Sequence, residues 1–273
     1  MSDLANHKAI YRILIALDAL QENNNTLEFA VALAARKQAE LMTLFIEDLN
    51  LAHFASLPFA SEIDRLSTIE RKLDSLQMAR SFRMQAEKVA RLLEQMTREK
   101  QVNYSLKVVR GHYMQEALSA TDVMDVLFLN RSVGKYGKHT LERTVIRGAV
   151  FTEYATVYNA VYIIYKGTTA SDRALSLACD LASFANRGLI VMIQPAEDIA
   201  VQLQQQAASI IAPHGIPAQY LTFPPDTKDE DLVALLQGRE CGILVLSAAD
   251  GPDVYQRANL FLDELQRPVV LVR

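Results

Sequence analysis

The sequence has no tryptophan, two cysteines in 273 residues, and no apolar run of the roughly 18 residues that a membrane helix needs. Two thiols, Cys179 and Cys241, are too few for a disulfide framework and cannot make a structural zinc site alone. Both lie in apolar segments, which reads as buried free thiols in a reducing compartment. The opening MSDLANHKAIYRILIAL lacks the basic start and small-residue cleavage site of a secretory leader, so a cytoplasmic location is expected. Ten glycines and eight prolines exclude a collagen-like or linker-type chain. Absent too are the Walker A pattern G-x4-G-K-[ST], the G-x-S-x-G elbow and H-E-x-x-H. The histidines (His7, His53, His112, His139, His214) have no metal-ligand spacing, and no metal site is expected. No positioned nucleophile or base can be read, so no catalytic residue is assigned.

What is present describes an ordinary globular protein: half of the residues are hydrophobic and 22% are charged. At roughly 150 residues per domain, the length gives two domains. Their charges differ. Residues 1–155 carry 20 basic and 19 acidic side chains, and residues 156–273 carry 8 and 13. Neither half has the clustered basic excess of a nucleic-acid binder.

YRILIAL (Tyr11 to Leu17) and ELMTLFI (ending at Ile46) are continuous apolar runs that suit parallel strands buried on both faces. Between them TLEFAVALAARKQ has helical spacing, with Thr26 placed as its cap, so the three form a right-handed βαβ unit. Residues 61–100 contain no Gly or Pro and repeat apolar residues at three, four and seven, which predicts one long amphipathic helix or two with a slight kink. Strand 102–109, helix 113–120, strand 125–130, a basic glycine-containing loop and a helix over about 140–155 complete the half. The second half reads as strand 160–165, helix 171–186, strand 189–193, helix 197–212, strand 218–223, helix 229–237, strand 242–247, helix 253–265 and strand 268–272. Such alternation predicts an α/β fold with doubly wound parallel sheets, present twice in tandem.

YRILIALDAL, ELMTLFIEDL and RPVVLVR resemble the universal stress protein (UspA) family, and VYIIYKGTTASDRALSLACDLA and CGILVLSAADG carry the resemblance into the second half. The resemblance implies two tandem domains of the adenine nucleotide alpha hydrolase-like fold, with strand order 3-2-1-4-5. Domain 1 would span 1–155 with the 61–100 helix inserted, and domain 2, degenerate, would span 156–273. Only one strand fits between residues 154 and 167, and it is assigned to domain 2 because a turn and an amphipathic helix follow it. Domain 1 is then left with a rudimentary fifth strand. PVVLVR resembles the family's dimerising strand and is expected to pair the domains; a homodimer stays open.

Ligands of open α/β sheets sit beyond the strand carboxyl ends, where the strand order reverses. By resemblance to the ATP-binding branch of the family, Asp18 matches the acid that meets the nucleoside, and Ile46 matches the backbone contact after strand two. Gly134 and Gly137 match the first glycine pair of Gly-x2-Gly-x9-Gly-Ser/Thr. Gly148 departs by one residue, and Ala149 stands where the Ser/Thr hydroxyl would be. Glycines matter here because phosphate oxygens must approach backbone N–H groups without a Cβ between them. Arg131, Lys135, Lys138, His139, Arg143 and Arg147 surround them and could hold phosphates through charge-assisted contacts. In the second half Lys166 replaces the acid, and Asp250 and Asp253 lie where phosphates would, so no ATP is expected there.

Three functions follow. The first is a stress-response regulatory module that binds ATP (with Mg2+) or AMP in domain 1 and signals to an unknown protein partner. The second is an interaction scaffold that has lost nucleotide binding in both halves, its basic loop merely solvated, with the long helix 61–100 as its docking surface. The third, with least support, is a slow ATPase. No membrane or nucleic-acid partner is expected.

Overall fold

A computed structural model of the chain describes residues 12–18, 25–50, 53, 56, 61–63, 70–72, 75–120, 124–131, 150–151, 160–194, 199–237, 241–251, 253–265 and 267–273. In chain order the elements of the first half are β1 (Arg12–Asp18), α1 (Asn25–Lys37), β2 (Glu40–Asp48), β3 (Ser61–Ile63), β4 (Glu70–Lys72), α2 (Ser75–Lys100), β5 (Tyr104–Gly111), α3 (Tyr113–Ser119) and β6 (Val126–Asn130). There follow β7 (Val150–Phe151), β8 (Ala160–Tyr165), α4 (Thr169–Ala185), β9 (Leu189–Ile193), α5 (Ala200–Ile211), β10 (Ala218–Thr222), α6 (Asp229–Gln237), β11 (Cys241–Ser247), α7 (Val254–Leu265) and β12 (Val269–Val272).

Ten strands form one sheet in the order β5-β2-β1-β6-β12-β11-β8-β9-β10-β7, and β3 and β4 form a separate antiparallel pair. Neighbours in the large sheet are parallel except at β6–β12 and β7–β10. Taken in order along each half, β5-β2-β1-β6 is 3-2-1-4, and β10-β9-β8-β11-β12 is 3-2-1-4-5. Strand β12 is therefore the fifth strand of the second half and also fills the fifth place beside β6. Its residues Val269 to Val272 pair with Leu244 to Ser247 on one side and with Leu129 to Val126 on the other. The closing strand is not an edge but the centre of the sheet. Strand 160–165 lies between β9 and β11, in the middle of the second half.

The continuous apolar runs have a simple cause: both faces of these strands are covered. Ile13, Ile15 and Leu17 enter the core on one face, with Phe128, Val245 and Val270, while Leu14 and Ala16 join Leu129, Leu246 and Leu271 on the other. Each fully buried aliphatic side chain contributes roughly 1.5–3 kcal/mol. Because both cores run through β12, the halves share their hydrophobic interior.

Polar contacts fix the helices that cover one face. Thr168 caps α4 in a reciprocal box with Ser171. Gly167 (φ +71) makes the turn before it, where a Cβ would lie 2.2 Å from Leu203. At the junction of α1 and α4, the buried Asp180 carboxylate receives Lys37 at 2.6 Å and Arg36 at 3.2 Å, with His214 at 3.8 Å. The two α1 cations are partly exposed and can return to water, so Asp180→Ala should lower stability by about 2 kcal/mol, less than a fully buried pair would. Chemical denaturation measures this; an unchanged midpoint would show that these cations contribute nothing.

Three expectations need correction. The helix over 61–100 begins at Ser75, because Ser61–Ile63 and Glu70–Lys72 are strands. Ser61, Asp64, Ser67, Thr68 and Asp74 favour turns over helix, whereas 75–100 is rich in Ala, Leu, Met, Arg, Gln and Glu. The helix over 140–155 does not cross Val150–Phe151, which hydrogen-bonds as a strand to Leu221 and Thr222; long-range pairing overrides the local pattern there. Its residues 140–149 and 152–155 lie outside the described residues. Thr26 is the second residue of α1 rather than its cap, and its hydroxyl accepts from the Asn130 side chain.

Candidate functional site

Where β1, β2 and β6 end, the sheet brings a polar group together in an otherwise apolar interior. Asp18 is the last residue of β1 and lies beside Ile46 in the parallel register with β2. Asn130 ends β6 opposite Leu17, and Arg131 follows it. This is the point where strand order reverses, and Asp18, Asp48, Thr26 and Asn130 are buried there.

Tyr113, at the start of α3, bridges the ends of β1 and β6. Its hydroxyl accepts the Asn130 N–H at 2.8 Å and donates to the Ala16 carbonyl at 2.8 Å, with the Asn130 carbonyl at 3.0 Å as the alternative acceptor. The side chain thus satisfies β1 and β6 backbone groups at the level where the two strands part. Burial pushes the Tyr113 hydroxyl well above the usual tyrosine range, and the Asp18 charge pushes the same way. A neutral hydroxyl and a carboxylate therefore form the floor of the crevice.

Arg131 stands at its rim. Its guanidinium lies 3.2 Å from Asp263 of α7 and 3.7 Å from Asp48 at the end of β2, and 5.8 Å over the Tyr113 ring. Asp48 and Asp263 are held in turn: Asp48 accepts the Asn50 N–H at 2.8 Å, and Asp263 accepts from the Asn259 amide at 3.2 Å.

Of the residues expected to form a ligand site, Asp18, Ile46 and Arg131 converge here. Gly134, Lys135, Gly137, Lys138, His139, Arg143, Arg147, Gly148 and Ala149 lie outside the described residues. Tyr113, Asp48 and Asp263 were not found from sequence. Asp48 had a usable signal, being a second acid at a strand end; Tyr113 and Asp263 reach the site only through the fold.

The corresponding crevice of the second half is built differently. Lys166, just beyond β8, donates to the Asp250 carbonyl at 3.1 Å, which ties the end of strand one to the loop after β11. Burial raises the Asp250 carboxyl, while Lys166, a Ser247 hydrogen bond and Arg257 act against that shift. Tyr165 donates to Asp172 at 2.6 Å, and Gln206 donates to both Asp172 and the Gly167 carbonyl. Side chains at this switch point thus bond to groups of the chain itself. Among the described residues no group of three or more His, Cys, Asp or Glu could hold a metal ion, and no helix is long and apolar enough to cross a membrane.

No protein-family model matches the sequence, and no curated protein matches it. Solved structures do. A universal stress protein from Archaeoglobus fulgidus is similar over 98% of this chain and 97% of that one, at 12% identity and a TM-score of 0.50. Shorter chains align with 43% of this one: an A. fulgidus universal stress protein in complex with dAMP (16% identity, 99% of that chain, TM-score 0.36) and a universal stress protein in complex with cAMP (17%, 98%, 0.36). The chain has the α/β fold of the full-length match, which is the fold the family resemblance implied.

Proposed function

We propose that the chain is a tandem universal stress protein, a cytoplasmic regulatory module of the stress response whose first domain (1–155) binds AMP or ATP. The second domain (156–273) is its structural partner and takes no nucleotide. The observation that carries this reading is the contrast between the two strand-order switch points. One presents a buried carboxylate, Asp18, beside the end of β2, with a cation at its rim; the other presents Lys166 tied to its own loop. A carboxylate at that position accepts hydrogen bonds from nucleoside hydroxyls, and the Ile46 backbone lies one strand away. Gly134, Gly137 and Gly148 would admit the phosphates, with Arg131, Lys135 and Lys138 supplying positive charge and Mg2+ accompanying ATP. Binding rather than turnover is the proposed activity.

The scaffold reading draws on one observation: Arg131 already has two carboxylate partners. Denaturing the purified chain and identifying released nucleotide by mass spectrometry separates the readings, followed by calorimetric titration with AMP and ATP. Wild type should bind, and Asp18→Ala should weaken binding on the order of 10- to 100-fold, the value of a hydrogen bond to a charged group. No nucleotide and no heat would favour the scaffold. Binding that survives Gly134→Val with Gly137→Val would place the site elsewhere.

A further inference from the structure

Arg131 has two allegiances. By sequence it belongs to β6 and the proposed nucleotide crevice. By contact it belongs equally to α7, a helix of the other half, through Asp263. These two residues are 132 positions apart, and the remaining charged partner, Asp48, belongs to the crevice itself. The two contacts are unequal in character. Asp48 is buried at the end of β2, whereas Asp263 is 38% exposed on the rim, where water screens an ion pair. Asp263 meets the guanidinium through one oxygen, its other accepting from Asn259, whereas a phosphate placed there can offer two charge-assisted oxygens at once.

We propose that Arg131 is a ligand-operated latch between the two halves: a phosphate-bearing ligand in the β1/β6 crevice draws the guanidinium away from Asp263 and releases that end of α7. The proposal rests on the nucleotide reading and adds the route by which occupancy is reported. Helix α7 is suited to carry the signal. Phe261, Leu262 and Leu265 seat it in the shared core, its Arg257 holds Asp229 of α6 at 2.8 Å, and its first turn follows directly on the loop that Lys166 ties down at Asp250. Loosening at Asp263 therefore propagates along a single helix to the second crevice, on the other side of β12.

The test is hydrogen exchange of the full chain with and without saturating AMP, read at residues 254–265, together with calorimetric titration of AMP. Exchange in α7 should rise when AMP binds. Asp263→Asn, which keeps the shape and removes the competing charge, should tighten AMP about 2- to 5-fold, the factor a rim ion pair is worth. It should also raise α7 exchange before ligand is added. In an Arg131→Gln background, Asp263→Asn should leave AMP affinity unchanged, which a merely structural role of Asp263 would not predict. If AMP and ATP both fail to bind wild type, the nucleotide reading and the latch fall together. If AMP binds while α7 exchange and the Asp263→Asn affinity stay at wild-type values, the latch alone is overturned. The exchange measurement needs no variant, so it decides even if a substituted chain folds poorly.

Discussion

Val270→Asp should abolish cooperative folding of the whole chain, not of one half. Val270 is fully buried in β12, paired with Val245 on one side and Phe128 on the other, both themselves fully buried. A carboxylate placed there would sit inside an apolar cluster. Removing an unpaired charge from water costs several kcal/mol even after relaxation, against a total stability of about 5–15 kcal/mol for a domain. Independent halves would let the first survive such damage. Here β12 closes the edge of β6 as well as that of β11, so its loss opens two hydrogen-bonding edges and invites aggregation.

Circular dichroism melts and size exclusion measure the effect. Val270→Ala, which removes volume without adding charge, should cost only about 2 kcal/mol and keep a sigmoidal transition. Val108→Asp on β5, half exposed at the outer end of the sheet, should change stability by less than about 1 kcal/mol. A wild-type-like melt for Val270→Asp would mean that β12 does not join the halves.

The sheet strands were legible because burial on both faces leaves a strong mark: an uninterrupted apolar run bounded by turns. β8, β9 and α6 have the bounds read from sequence, and β11 differs by one residue. What such runs do not encode is their neighbour. PVVLV is equally apolar whether it closes an edge or sits between two strands, and nothing in its pattern says that it meets β6 antiparallel. The same limit hid β7, whose two residues become a strand only by reaching β10. The 61–74 segment failed for another reason. Its apolar spacing imitates a helix, while its Ser, Thr and Asp content does not.

For the site, legibility followed the same division between local and long-range. Asp18, Ile46 and Arg131 could be placed because they follow the ends of recognisable strands, and strand ends beside the order reversal are where ligands bind. Tyr113 could not. It lies 97 residues from Ala16, and its role as a bridge depends on α3 packing back over the sheet. Asp263 is equally remote, and in the sequence it looks like any acid on the outer face of an amphipathic helix. Its meeting with Arg131 depends on the antiparallel β6–β12 joint, which is itself unreadable from the pattern.

Raising the pH above 10 should unfold the chain cooperatively, because three buried groups hold protons in the folded state that the unfolded chain releases. Burial pushes the Cys179 thiol from 9.0 up to about 12, and the Asp180 charge beside it adds to the shift. Burial raises the Tyr165 hydroxyl well above its usual range, followed by its hydrogen bond to Asp172. Tyr113 is raised by burial and then by Asp18. A folded-state value above the unfolded one means that the stabilisation is complete below the unfolded value and is lost as pH climbs towards the folded one. The loss therefore starts near pH 9 with Cys179 and steepens past 10 as both tyrosines join. Each group then contributes about 1.4 kcal/mol per pH unit, and three together remove roughly 4 kcal/mol per unit, comparable with the lower range of domain stability. Denaturation midpoints measured from pH 8 to 11 should fall with that increasing slope. Absorbance at 295 nm should show these tyrosines ionising together with the loss of circular dichroism. Cys179→Ala should flatten the slope from pH 9 upward, and Tyr113→Phe only above 10. Ionisation of all ten tyrosines at their usual pH, with the fold intact, would show that Tyr113 and Tyr165 reach solvent without unfolding.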